Sequence, residues 1–259
     1  MELKQEAQTF EMPHLLTYYE CDETSHPSLS MILSMISMVS DEHSMSLGMG
    51  TEEIQSTGGT WVVSGYEGYL SANQPSFGET VILGTKAVSY NRFFAVRDFW
   101  ITDKEHQIEY ARIRSIFVFM NLKTRRMQSI PLGLIEPFNA PVAKRIPRLK
   151  RPQKLDENGS IIKKNYQVRY FDLDANHHVN NARYFDWLLD PLGRDFLREN
   201  QIKRFNLQYL QEVRNGEIVE SKVNKLQTND GTVTYHQIGV DKQVDAIAEK
   251  EWYEKLINE

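Results

Sequence analysis

The sequence predicts an α+β protein built twice over, each half a long helix wrapped by a curved antiparallel sheet. Three observations lead there. The order strand, polar loop, helix, then a run of strands occurs twice. A proline-rich, cationic crossing near residues 135–160 separates the two occurrences. Asn229-Asp230-Gly231 is a strong tight-turn signal between two of the later strands. One helix on one curved sheet leaves apolar surface uncovered, whereas two such units in tandem bury each other's. The predicted halves are residues 1–135 and 161–259, joined by 136–160.

The first half opens with a strand-like run, TFEMPHLLTYYEC, and a short polar loop. A helix follows, with Ser28 or Ser30 as its N-cap and Leu29, Ile32, Leu33, Ile36 and Val39 on one face. Strand-like runs TWVVSGYEGYL, ETVILGTKAVSYNRFFAVRDFWITD and EYARIRSIFVFMNLKTRRMQSIP come next. In the last, Ala111, Ile113, Ser115, Phe117 and Phe119 alternate with a second set that begins charged and ends apolar, as in a strand entering a core. The crossing contains Pro137, Pro141, Pro147 and Pro152, which fix φ and remove donors, so it reads as extended chain. In the second half NYQVRYF is a strand, DLDANHH a polar loop, and VNNARYFDWLLD a helix that Asn180 can cap and Pro191 limits or kinks. Strands KRFNLQYLQEV, GEIVESKVNKLQ, TVTYHQIGV and VDAIAEKEWYE complete it.

Composition narrows the function. The 259 residues are 41% hydrophobic and 25% charged, ordinary for a soluble folded protein. The most apolar stretch, SLSMILSMISMV, is far too short to span a bilayer. MELKQEAQTFEM lacks the apolar core of a secretory signal and the Arg/Ser bias of a transit peptide, which points to a cytoplasmic, bacterial setting. A net charge of −5 argues against nucleic acid as partner. The single cysteine, Cys21, excludes an intrachain disulfide and a multi-thiolate zinc site. Lys144, Arg145, Arg148, Lys150, Arg151 and Lys154 form a cationic run that is either a solvated linker or a docking strip for an acidic protein or phosphate.

The chemistry concentrates in Tyr170-Phe171-Asp172-Leu173-Asp174-Ala175-Asn176-His177-His178-Val179-Asn180. In an extended loop, Asp174, Asn176 and His178 point to one side. A helix beginning near Val179 presents free N–H groups and a positive end to the same place, which suits the oxyanion of an attacked carbonyl. The alternatives are an Asx-rich cap or a metal loop. Adjacent histidines alternate in direction, which disfavours the metal, and no cofactor is expected. In the first half, Asp22 and His26 repeat the spacing of Asp174 and His178, with Thr24 where Asn176 stands. Met31, Met35, Met38 and Met45 either line a pocket for a flexible chain or fill core.

DLDANHHVNNARYFDWLLD resembles the signature of the acyl-acyl-carrier-protein (acyl-ACP) thioesterases, D-L-D-x-N-x-H-V-N-N followed by an aromatic residue. Leu207-Gln208-Tyr209-Leu210-Gln211-Glu212-Val213-Arg214 resembles the strand that carries that family's catalytic glutamate. The resemblance implies a tandem double hotdog that hydrolyses fatty acyl-ACP and releases free fatty acid. It implies Glu212 as general base, His178 sharing the proton transfer and oriented by Asp174, and Asn176 with the N–H of Val179 or Asn180 holding the carbonyl oxygen. The family often has a cysteine after the glutamate, but here Val213 stands there, which leaves water as nucleophile. The implied partner is acyl carrier protein, meeting Lys144, Arg145, Arg148, Lys150 and Arg151, with Arg125 and Arg126. Pairing of two chains into a homodimer is a further option. An acyl-CoA thioesterase and a non-catalytic acyl-binding hotdog protein are the competing readings.

Overall fold

A computed structural model describes residues 7–156, 159–174 and 178–254. The first half comprises β1 (Thr9–Leu15), α1 (Leu29–Ser46), α2 (Thr51–Ser56), β2 (Gly59–Leu70), β3 (Thr80–Tyr90), β4 (Phe94–Thr102), β5 (Glu109–Asn121) and the short β6 (Met127–Gln128). The second comprises β7 (Ile161–Gln167), α3 (Arg183–Leu189), α4 (Arg194–Glu199), β8 (Asn200–Tyr209), β9 (Ile218–Thr228), β10 (Gly231–Val240) and β11 (Gln243–Glu254). All strands join one antiparallel sheet in the order β1-β3-β4-β5-β2-β8-β11-β10-β9-β7, with β6 on β5. Read from either edge, the order is the same pattern, so an approximate two-fold axis passes between β2 and β8. That central pair runs from Gly65↔Gln208 to Tyr69↔Arg204. A Cβ on Gly65 would lie 2.5 Å from the Leu207 carbonyl oxygen, so only glycine lets the two halves approach here.

α1 is the helix its spacing predicts. Ser28 caps it by accepting the Met31 N–H, and Leu29, Ile32, Leu33, Ile36 and Val39 are buried. They share one continuous core with Phe185, Leu188, Val219 and Val223 of the second half. Met35 is buried in that core and Met38 packs against it, whereas Met45 is exposed. The second half's helical segment is shorter, because Pro191 cannot donate and Gly193 adopts φ 85° between α3 and α4. The run at 79–103 is two strands rather than one, turning at Asn91-Arg92.

The repeat extends to individual hydrogen bonds. Tyr18–Glu20 and Tyr170–Asp172 are matching 3₁₀ turns. Asp22 N–H donates to His26 C=O at 2.9 Å, and Asp174 N–H to His178 C=O at 2.8 Å. Ser28 N–H donates to Glu20 C=O, and Asn180 N–H to Asp172 C=O. Ser71 N–H donates to Tyr110 C=O, and Leu210 N–H to Asp245 C=O. Counted from this last pair, Asn73 takes the place of Glu212.

The crossing is extended, with a period of three. Ala143, Ile146, Leu149, Pro152 and Leu155 turn inward while every residue between them is exposed, the repeat of a polyproline II strand. Lys150 N–H donates to Glu67, Asn206 Nδ2 to the Lys150 carbonyl, and Gln153 N–H to Glu249, which strap the crossing over the β2/β8 junction. Among the described residues no helix is long and apolar enough to cross a membrane.

Candidate functional site

The loop after β7 is built around two aspartates with different tasks. Asp172 is buried and accepts from the Arg169 backbone N–H (2.9 Å) and guanidinium (2.7 Å). Burial opposes its ionisation, but the Arg169 bonds and the charges of Arg169 and Arg183 outweigh it and hold the carboxyl below its usual range. Asp174, two residues on, is half-buried, and its Oδ1 accepts the backbone N–H of His178 at 3.2 Å. With the Asp174 N–H to His178 C=O bond and the Leu173–Val179 bridge, this closes a tight loop that fixes Asp174 and His178 at its two ends. Asn176 lies outside the described residues.

The helix begins later than expected. Asn180 starts the turn, its Oδ1 accepting Ala182 N–H at 2.9 Å, and α3 runs only from Arg183. The Asn180 N–H is committed to the Asp172 carbonyl, so the expectation that it holds the substrate carbonyl oxygen is withdrawn. The cause is local: Asn side chains compete for backbone N–H groups and hold the chain in a turn before the helix.

Glu212 stands beyond the strand on which it was expected. β8 ends at Tyr209, and the Leu210 and Gln211 N–H groups both donate to the Asp245 carbonyl. Two bonds then join this segment to the start of α3: Tyr209 Oη donates to the Asn181 carbonyl at 2.9 Å, and Val213 N–H donates to Tyr184 Oη at 3.1 Å. Burial, and then the charges of Asp245, Glu212 and Glu217, push the Tyr184 phenol up, so its oxygen serves as a neutral acceptor. The Glu212 carboxylate itself pairs with Arg125, which the β5–β6 turn presents at φ 55°. That turn is held by Asn121 Oδ1, which accepts the Lys123 and Thr124 N–H groups. The site therefore draws on both halves.

Sequence reasoning placed Arg125 on a docking surface; its described contact is with Glu212. Tyr184 was visible only as the aromatic residue of the signature, and nothing in the sequence pairs it with Val213. Lys150 is exposed like Lys144, Arg145, Arg148 and Arg151, but its Nζ is paired, 2.6 Å from Glu249 Oε1. Cys21 is half-buried, and burial and the neighbouring Glu20 and Asp22 charges push its thiol up, the reverse of an activated nucleophile.

The family model described as the acyl-ACP thioesterase C-terminal domain matches residues 155–254, and that of the N-terminal domain matches residues 7–138. A chloroplastic acyl-[acyl-carrier-protein] hydrolase of Cuphea viscosissima is 26% identical over 265 residues, covering 97% of this chain. The chain spans 64% of that relative's length, just under two thirds. A crystal structure from Lactobacillus plantarum, provisionally assigned as an oleoyl thioesterase, superposes with a TM-score of 0.93 at 37% identity, covering 98% of this chain and 99% of that one. The 12:0-ACP thioesterase of Umbellularia californica shares the fold, with a TM-score of 0.84 at 23% identity over 95% of this chain and 94% of that one.

Proposed function

The chain belongs to the acyl-ACP thioesterase family, and from that membership we propose that it hydrolyses the thioester of fatty acyl-ACP to a free fatty acid and the carrier thiol. The observation that carries this reading is the suture between the start of α3, which follows the Asp174–His178 loop in the chain, and the Glu212 segment, made by Val213 to Tyr184 and Tyr209 to Asn181. It supports the reading by tying the segment that follows the His178 loop to the segment that carries Glu212.

In this reading Glu212 takes a proton from the attacking water, and His178 passes a proton toward the departing thiol. Asp174 holds His178 through its backbone N–H. Asn176 donates to the carbonyl oxygen as charge develops there. Arg125 keeps the Glu212 carboxylate in place from the first half. A placed general base contributes ~10²–10⁴ in rate and an oxyanion donor ~10²–10³. The acidic carrier meets the exposed cations Lys144, Arg145, Arg148 and Arg151, with the reaction in the cytoplasm.

The test compares one acyl chain on ACP and on coenzyme A. The expected result is hydrolysis of both, with a higher kcat/KM on ACP that falls steeply with salt. A higher kcat/KM on coenzyme A would move the assignment to the CoA thioesterases. Absence of hydrolysis on either carrier, with acyl chains still bound, would favour the non-catalytic reading.

A further inference from the structure

The two-fold pattern of the sheet implies a second position equivalent to the candidate site, at the loop that carries Asp22 and His26. A cavity of about 310 Å³ lies there, between that loop and the helices of the second half. Its size falls at the small end of the roughly 300–1,000 Å³ of small-molecule sites. Leu29, Leu70, Leu189, Leu197, Ile202 and Trp252 give it an apolar lining drawn from both halves.

We infer that this cavity is a second acyl-binding site, which holds a neutral, amide-bearing acyl amphiphile and does not hydrolyse it. Three observations carry the inference. First, the loop keeps the hydrogen-bond frame of the candidate site, including Asp22 N–H to His26 C=O. Second, the counterpart of Glu212 is an amide, because Asn73 stands where the repeat places Glu212. An amide cannot accept a proton from water at neutral pH, so the role the functional reading gives Glu212 has no counterpart at this position. Third, the polar lining suits a neutral head. Asp22, Asp186 and Asp190 line the cavity, and no lysine or arginine joins them among the described lining residues, so an anionic carboxylate is disfavoured. Gln74, Asn200 and Gln201 offer amide donors and acceptors instead. His26 Nδ1 lies 3.0 Å from the Pro75 carbonyl, which selects the tautomer whose Nε2 accepts. An aliphatic chain joined to an amide-bearing arm is the chemistry of an acyl-pantetheine. The identity of that head group rests on the thioesterase reading; the existence of the site does not.

The test uses the decyl thioether of N-acetylcysteamine, a neutral probe with an amide head and no hydrolysable bond, titrated calorimetrically into the full chain. Two binding events per chain are expected for the natural sequence and for Glu212→Gln. Leu197→Trp fills the cavity rim and should keep one event, with thioester hydrolysis unchanged. A diazirine at the end of the decyl chain should label the Leu189–Ile202 peptide in the natural sequence, which needs no variant to fold. One binding event or none, or labelling confined elsewhere, overturns the inference. Two events in a chain that hydrolyses no thioester would overturn the functional reading and leave this one standing.

Discussion

Lys250 sits in β11 with its side chain fully buried, opposite Thr234 and Phe205. Its Nζ has no hydrogen-bond partner among the described residues and lies 5.8 Å from the centre of the Phe185 ring. Burial depresses the amine from 10.5 to about 7. Between those values the unfolded chain binds the proton and the folded chain does not, so folding stability rises with pH from about 7 to about 10.5. At ~1.36 kcal/mol per pKa unit, the cost at pH 7 is on the order of 4 kcal/mol, an upper bound because relaxation around the amine reduces it. Lys250→Met keeps the stem's volume and removes the charge. The variant should therefore be more stable at pH 7 by roughly 1–4 kcal/mol, the gain found when apolar groups replace buried charged ones. The gain should shrink toward pH 10.5. Urea unfolding of both proteins across pH 6.5–10.5 gives the difference curve directly. A Met variant no more stable at pH 7, or a difference that does not change with pH, refutes the claim that a desolvated amine is held there.

Three further outcomes follow from named contacts. Arg125→Ala should lower kcat by a factor of roughly 1.4 to 5, the ~0.2–1 kcal/mol of a partly exposed ion pair, and high salt should produce much of the same loss in the natural sequence; steady-state kinetics against ionic strength checks this. Tyr184→Phe leaves the Val213 N–H without its acceptor and should cost ~1–3 kcal/mol in chemical denaturation, with kcat falling as the Glu212 segment loosens. Reversing Arg148 and Arg151 to Glu should raise KM for acyl-ACP and leave a small acyl thioester's kinetics unchanged.

The tandem plan was legible because burial imposes it on the sequence. Leu29, Ile32, Leu33, Ile36 and Val39 keep helical spacing since they face one core, and Asn229-Asp230-Gly231 marks a turn that the structure places between β9 and β10. The shortened α3 was half legible: Pro191 predicted its end, but its late start depends on Asn180 holding Ala182 N–H. The equivalence of Asn73 and Glu212 was not legible, because the surrounding side chains differ and only backbone hydrogen bonds align them. The same limit hid the roles of Arg125 and Lys150. Both read as free cations in the sequence, and both find their carboxylates, Glu212 and Glu249, only when distant strands meet. The loop of Asp174 and His178 was the most readable part of the site, since its spacing and its chemistry fall within one short segment.

The most direct test of the functional account is the rate of carrier-thiol release from acyl-ACP by the natural sequence and by Glu212→Gln, over a graded series of chain lengths. The account predicts turnover by the natural sequence and a loss of at least ~10²-fold in kcat for the variant at every chain length, with unchanged unfolding behaviour. Near-natural turnover by Glu212→Gln would contradict it and remove Glu212 from the chemistry.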